Sequence, residues 1–235
     1  MDTMYEIETI EYRGFRINIR IDDNPVNPRQ WDNLGIMACF HRSYDLGDEH
    51  DYSDPEQLLV SLLENCDYDY EKLEGYDMED LLREVEKFYI ILPLFLYDHS
   101  GLAMSTAGFA CSWDSGQVGF IYVPLTTVRE EYGVKRVSKK LREKVKKVLR
   151  GEVAVFDDFL RGNVCGYSIE PTERNRGISC NGGCWGYYGE DGLDCIKKDA
   201  KAEIDHAIER YKKEVIKQHE ERKSTALFLR TCWAD

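Results

Sequence analysis

The longest apolar run in the chain, Tyr89 to Tyr97, is interrupted only by Pro93. It falls well short of the ~18 residues that crossing a bilayer requires, and its length suits a buried strand. Gln117 to Val123 reads as a second central strand. Near the start, Met4 to Tyr12 and Phe15 to Asp22 read as a hairpin turning at Arg13-Gly14. Phe15, Ile17, Ile19 and Ile21 alternate there with Arg16, Asn18 and Arg20, a two-residue period. Pro25 and Pro28 then impose an extended loop, and Ile36 to Phe40 reads as another buried strand.

Helical signals surround these strands. Ser53-Asp54-Pro55 starts one helix, with Leu58, Leu59, Leu62 and Leu63 on one face. Asp77 caps a second that carries Leu81, Leu82, Val85 and Phe88, and Ser138 caps a basic helix expected to stop at Gly151. A shorter helix is expected over Val153 to Leu160. Val164 to Ile169 and Cys184 to Tyr188 read as a strand pair, followed by a long charged helix from about Asp194 to Lys223 and an apolar tail to Trp233 that could pack back on the body. The expected class is α+β: a mainly antiparallel sheet, flanking helices and a long C-terminal helix. No repeat or linker divides residues 1–235, so a single domain is expected, with an acidic helical segment, 45–86, inserted between strands.

Charge is unevenly placed. Asp45 to Glu86 holds 16 acids and two bases, Lys72 and Arg83, for a net of −14, whereas the whole chain carries −13. Arg129 to Arg150 holds ten bases and three acids. The apolar stripes in the acidic segment indicate that it folds, and its carboxylates are expected on the opposite, exposed faces. One reading is a solvated surface that keeps the chain soluble, and another pairs it with the basic helix. A third is a surface that docks on a basic groove, with Asp67, Asp69, Glu71, Glu74, Asp77, Glu79 and Asp80 as the contact set. The basic helix has its own core-facing stripe of Val137, Leu141, Val145 and Val148, so it reads first as amphipathic, and no direct contact with nucleic acid is expected.

Chemical motifs are sparse. The chain lacks a phosphate-binding glycine loop with its lysine, HExxH, GxSxG and CxxC pairs, and no cofactor is expected. Cys165, Cys180, Cys184 and Cys195 lie close in sequence, but their spacing is loose for zinc, so metal binding is only an alternative to unpaired thiols. His41 and His99 each follow a strand. With Asp45, Asp48, Asp98, Asp114 and Cys111 as candidates to complete it, they form an alternative acid–base or nucleophilic set of hydrolase type. The acidic N-terminus lacks the basic, then apolar pattern of an export signal, so a cytoplasmic protein with reduced cysteines and no membrane contact is expected.

Several strings are familiar together: Trp31-Asp32-Asn33-Leu34-Gly35, Phe40-His41-Arg42, Tyr44-Asp45-Leu46-Gly47, Leu96 to Gly101, and Trp113 to Tyr122. Over residues 5 to 190 the chain resembles a family of accessory proteins carried by phages and other mobile elements, a family without an assigned activity, so no catalytic role is carried over. The resemblance implies a mobile-element setting, in which small accessory proteins often act on host defence. Together with the −14 segment it leads to the expectation of a non-enzymatic counter-defence protein of the anti-CRISPR or anti-restriction type, inhibiting a host nucleic-acid-binding protein or nuclease complex in the host cytoplasm through its acidic surface. A homodimer through the long C-terminal helix is a further possibility.

Overall fold

The computed structural model describes residues 6–69, 73, 75–180 and 182–232, the side chains of 226–232 excepted. The class is α+β, with two antiparallel four-stranded sheets rather than one. Read from sequence as undivided, the chain has its contacts gathered in two compact units. One comprises Met1–Pro25 with Gly162–Asp235, and the other Val26–Arg161.

In the first unit β1 (Glu6–Tyr12) and β2 (Phe15–Ile21) form the expected hairpin. Arg13 and Gly14 both have positive φ, 51° and 80°. That left-handed pair matches the twist of the flanking strands in a two-residue turn, and glycine adopts it without steric cost. β2 then pairs with β7 (Val164–Pro171), Ile17 opposite Ile169, and β7 with β8 (Gly183–Tyr188). The inward face of β2 and β7 (Phe15, Ile17, Ile19, Cys165, Tyr167 and Ile169) closes on Ile196, Ala200 and Ile204 of α5 (Asp191–Cys232). From Glu209 to Thr225 the side chains of α5 are exposed, Ile208 being the last of the described side chains that packs on this core.

The second unit is built on β3 (Ile36–Cys39), β4 (Tyr89–Asp98), β5 (Leu102–Ser105) and β6 (Ser115–Pro124), in the order β3-β6-β4-β5. Alternation along the strands sends side chains to two cores. Met37, Ile90, Leu92, Ile121 and Val123 pack on α3 (Leu125–Glu131) and α4 (Lys139–Leu160). Ala38, Tyr89, Ile91, Phe120 and Tyr122 pack on α1 (Pro55–Glu64) and α2 (Met78–Val85). Helices on both faces explain why β4 reads as a continuous apolar run.

Gly151 does not end the basic helix. Its backbone stays helical within α4, and Val145, Leu149, Val153 and Phe156 form one buried stripe across it. The stripe outweighs the roughly 1 kcal/mol that a mid-helix glycine costs. The tail expected to fold back continues α5 as far as Cys232. Among the described residues, no helix is long and apolar enough to cross a membrane.

Candidate functional site

The acidic segment folds as its caps dictate. Asp54 accepts from the N–H of Gln57 at 2.8 Å, and Asp77 from that of Asp80 at 2.9 Å. Each cap satisfies an orphan donor and points the leucines behind it into the sheet. Of the seven carboxylates singled out from sequence, Asp67, Asp69, Asp77 and Glu79 are exposed. Asp80 is half-buried and pairs with Arg83 at 2.8 Å, while Glu71 and Glu74 lie outside the described residues. Asp54, Glu56, Glu64 and Glu86 extend the exposed set.

Arg83 of the segment and Lys87 on its flank are used locally. Lys87 pairs with Glu84 at 2.5 Å, and Tyr68 donates to the same carboxylate at 2.7 Å. These two hydrogen bonds, Lys87's first, hold the Glu84 carboxyl below the usual range. The basic helix meets the acidic segment through backbone: Arg142 Nη1 donates to the carbonyls of Glu86 and Tyr89, both at 3.3 Å. Lys146 pairs with Glu143 of its own helix at 3.6 Å, and Lys144 lies 4.8 Å from the centre of the Tyr132 ring.

A second constellation lies at one end of the same sheet, where three loops meet. The turn after β4 is held to the start of β6 by the N–H of Asp98 donating to the carbonyl of Asp114 at 2.8 Å. His99 Nδ1 lies 3.3 Å from Asp114 Oδ2, and Cys111 Sγ donates to that same oxygen at 3.6 Å. From the loop after β3, Tyr44 donates to Asp98 Oδ1 at 3.5 Å, and the His41 ring stacks on Tyr44, 4.9 Å between centroids. The alternative set His41, Asp98, His99, Cys111 and Asp114 is thus brought to one place. Trp113, 94% exposed, stands beside it.

The order of contacts decides what chemistry is open. Asp114 sits between the thiol and the imidazole, so Cys111 has a carboxylate for its partner. That leaves the sulfur without an imidazole base beside it. The Asp114–His99 pair leaves His99 Nε2 uncommitted, a geometry suited to a general base acting on water. The pair is open to solvent, with the His99 side chain 64% exposed and Asp114 36%.

Beside these loops lies a cavity of about 660 Å³ lined by Arg29, Cys39, His41, Tyr44, Asp48 and His50, among others. Asp48, grouped from sequence with the acid–base candidates, is structural. It takes Arg29 through both oxygens and the Met37 N–H at 2.7 Å. Glu152 of α4 accepts from Leu34 N at 2.9 Å and pairs with Arg29 at 3.3 Å. Burial pulls the Arg29 guanidinium's pKa down, and hydrogen bonds and charge from Asp48 and Glu152 more than offset it, leaving the value raised. Burial, with the Asp48 charge adding to it, pushes the Cys39 thiol up to about 12. Neither Arg29 nor Glu152 was marked in the sequence, where nothing signals a pairing across so long a stretch of chain.

The four cysteines considered for zinc are not gathered as ligands. Cys165 is buried and donates to the Tyr187 carbonyl at 3.7 Å, Cys180 packs against the same apolar cluster, and Cys184 and Cys195 are exposed. Among the described residues no three His, Cys, Asp or Glu side chains are placed to share a metal ion. No protein-family model matches the chain, and no curated protein or solved structure matches it.

Proposed function

We propose that the chain is a binding protein whose α1–α2 face docks into the basic, nucleic-acid-binding groove of another protein and blocks it. This is the action of a counter-defence inhibitor of the anti-CRISPR or anti-restriction type. One observation carries the reading. The segment of net charge −14 contains two capped helices, α1 and α2, whose leucines face the sheet, and among its described residues Asp54, Glu56, Glu64, Asp67, Asp77, Glu79 and Glu86 are exposed. Among the described residues, the basic helix of the same unit meets this segment at a backbone carbonyl, that of Glu86, and not at those carboxylates.

Exposed carboxylates on and beside two capped helices would offer a basic groove what a phosphate backbone offers it, a concentration of negative charge. Association of this kind is steered by charge and weakens as salt is added. The test is capture of a host nucleic-acid-binding protein by the tagged chain, followed by competition with duplex DNA. DNA should displace the chain, and Asp67→Lys with Glu79→Lys should abolish capture. Capture that survives both would contradict the reading.

The His99–Asp114 contact favours a second reading, a hydrolase using His99 as general base with Asp114 orienting it. Under it, His99→Ala would remove a hydrolytic activity without altering the fold, and the α1–α2 charge reversals would leave that activity intact.

A further inference from the structure

Between the turn after α3 and the first half of α4 lies an open groove of about 730 Å³. Its floor is apolar: Tyr132, Val134 and Leu141, with Tyr132 and Leu141 packed on the core beneath. Its rim is basic. Lys140, Lys144 and Lys147 line it from α4 at spacings of four and three residues, so the three ammonium groups form one stripe along the helix, and all three residues are exposed. The stripe is about 10 Å long at the helical rise of 1.5 Å per residue. Glu143, the acid among the lining residues, is already paired with Lys146.

We infer that this groove binds a short acidic peptide segment of a partner protein, with apolar side chains seated on Val134 and Leu141 beside the Tyr132 ring and carboxylates on Lys140, Lys144 and Lys147. An apolar trough rimmed by one sign of charge is complementary to an amphipathic segment of the other sign. Two observations favour a peptide over nucleic acid. The groove's ring, Tyr132, is half-buried and has Lys144 over it at 4.8 Å, so it offers no open platform on which bases could stack. The same unit also carries the −14 segment, which repels a long polyanion far more than a peptide with a few carboxylates. The groove is separate from the α1–α2 face, and its test does not depend on that face.

The experiment is fluorescence anisotropy on the full chain. The probe is a labelled peptide of about 14 residues, long enough to hold some helix, with Leu at i, i+3, i+4 and i+7 and Glu or Ala elsewhere. Saturable binding is expected, weakened about tenfold or more by the triple variant K140E/K144E/K147E, whose circular dichroism and melting should match the parent. A probe with every Leu replaced by Ser, at unchanged charge, should bind about tenfold more weakly or worse. Equal binding of that serine probe would reduce the contact to unspecific ion pairing and overturn the inference. So would absence of binding. Binding of a labelled single-stranded DNA oligomer that is lost in the lysine variant, without peptide binding, would assign the groove to nucleic acid. Self-association lost in that variant, without peptide binding, would assign it to a second copy. Either outcome overturns the proposal.

Discussion

Arg29 grips Asp48 with two parallel hydrogen bonds, Nε to Oδ1 at 2.9 Å and Nη2 to Oδ2 at 2.6 Å, while only 4% of its side chain is exposed. A further Nη2 hydrogen bond goes to the Gly35 carbonyl at 2.6 Å, and Glu152 closes the network from α4. Removing a buried partner strands the charges left behind, at a typical cost of about 3–5 kcal/mol. Arg29→Met should therefore lower the unfolding free energy of the Val26–Arg161 unit, read from urea titration, by an amount in that range. A change below about 1 kcal/mol would mean that Asp48 and Glu152 are solvated well enough to stand alone.

Gly119 of β6 faces β3 so closely that a Cβ there would collide with the Ala38 carbonyl. The collision is with backbone, which cannot rotate away. Gly119→Ala should cost about 1–3 kcal/mol or more and loosen the β3–β6 pairing. Hydrogen exchange at Phe40 N, which donates to the Val118 carbonyl at 2.6 Å, should speed up in the variant.

Much of this architecture is legible in the residues, and the gaps have physical causes. The alternation of Phe15, Ile17 and Ile19, the caps Asp54, Asp77 and Ser138, and the apolar run of β4 are local patterns, and each falls where expected. Partner choice is not local. Nothing in β2 announces that Ile17 will lie opposite Ile169, so the strand pattern alone does not separate the two sheets. The short β5 and α3 were not anticipated, and Gly151 was overruled by packing that only the tertiary structure supplies. At the loop cluster the residue types and their positions after strands were visible. The contact order Cys111–Asp114–His99, which disfavours a cysteine nucleophile, was not.

Thiol reactivity should follow burial. Cys39 is pushed up to about 12, and Cys165 also stands above its ordinary range through burial, whereas Cys184 and Cys195 are exposed. Iodoacetamide at pH 8.5 should label Cys184 and Cys195 first and Cys39 last, located by peptide mass spectrometry. Because the folded state favours the neutral Cys39 thiol, its contribution to stability is complete below the unfolded thiol value and is lost as the pH rises toward 12. Early labelling of Cys39 would contradict its placement.

The cap on α1 has the opposite sign. The N–H of Gln57 and then the Ser53 hydroxyl hold the Asp54 carboxyl below the usual range, so its contribution is present above the unfolded carboxyl value and fades as the pH falls through the lower, folded one. Asp54→Ala should be less stable than the parent at pH 6, and the gap should narrow below about pH 4. A gap that persists at pH 2 would mean that the cap acts without its charge.

The most direct measurement of the inhibitor reading is the affinity of the chain for its captured partner at rising salt, parent against Asp67→Lys/Glu79→Lys. The parent affinity should fall steeply and linearly on logarithmic axes, and the double reversal should weaken binding at least about a hundredfold at low salt, since like charges across an interface cost several kcal/mol. An affinity that ignores both the salt and the reversals would remove the α1–α2 face from the mechanism.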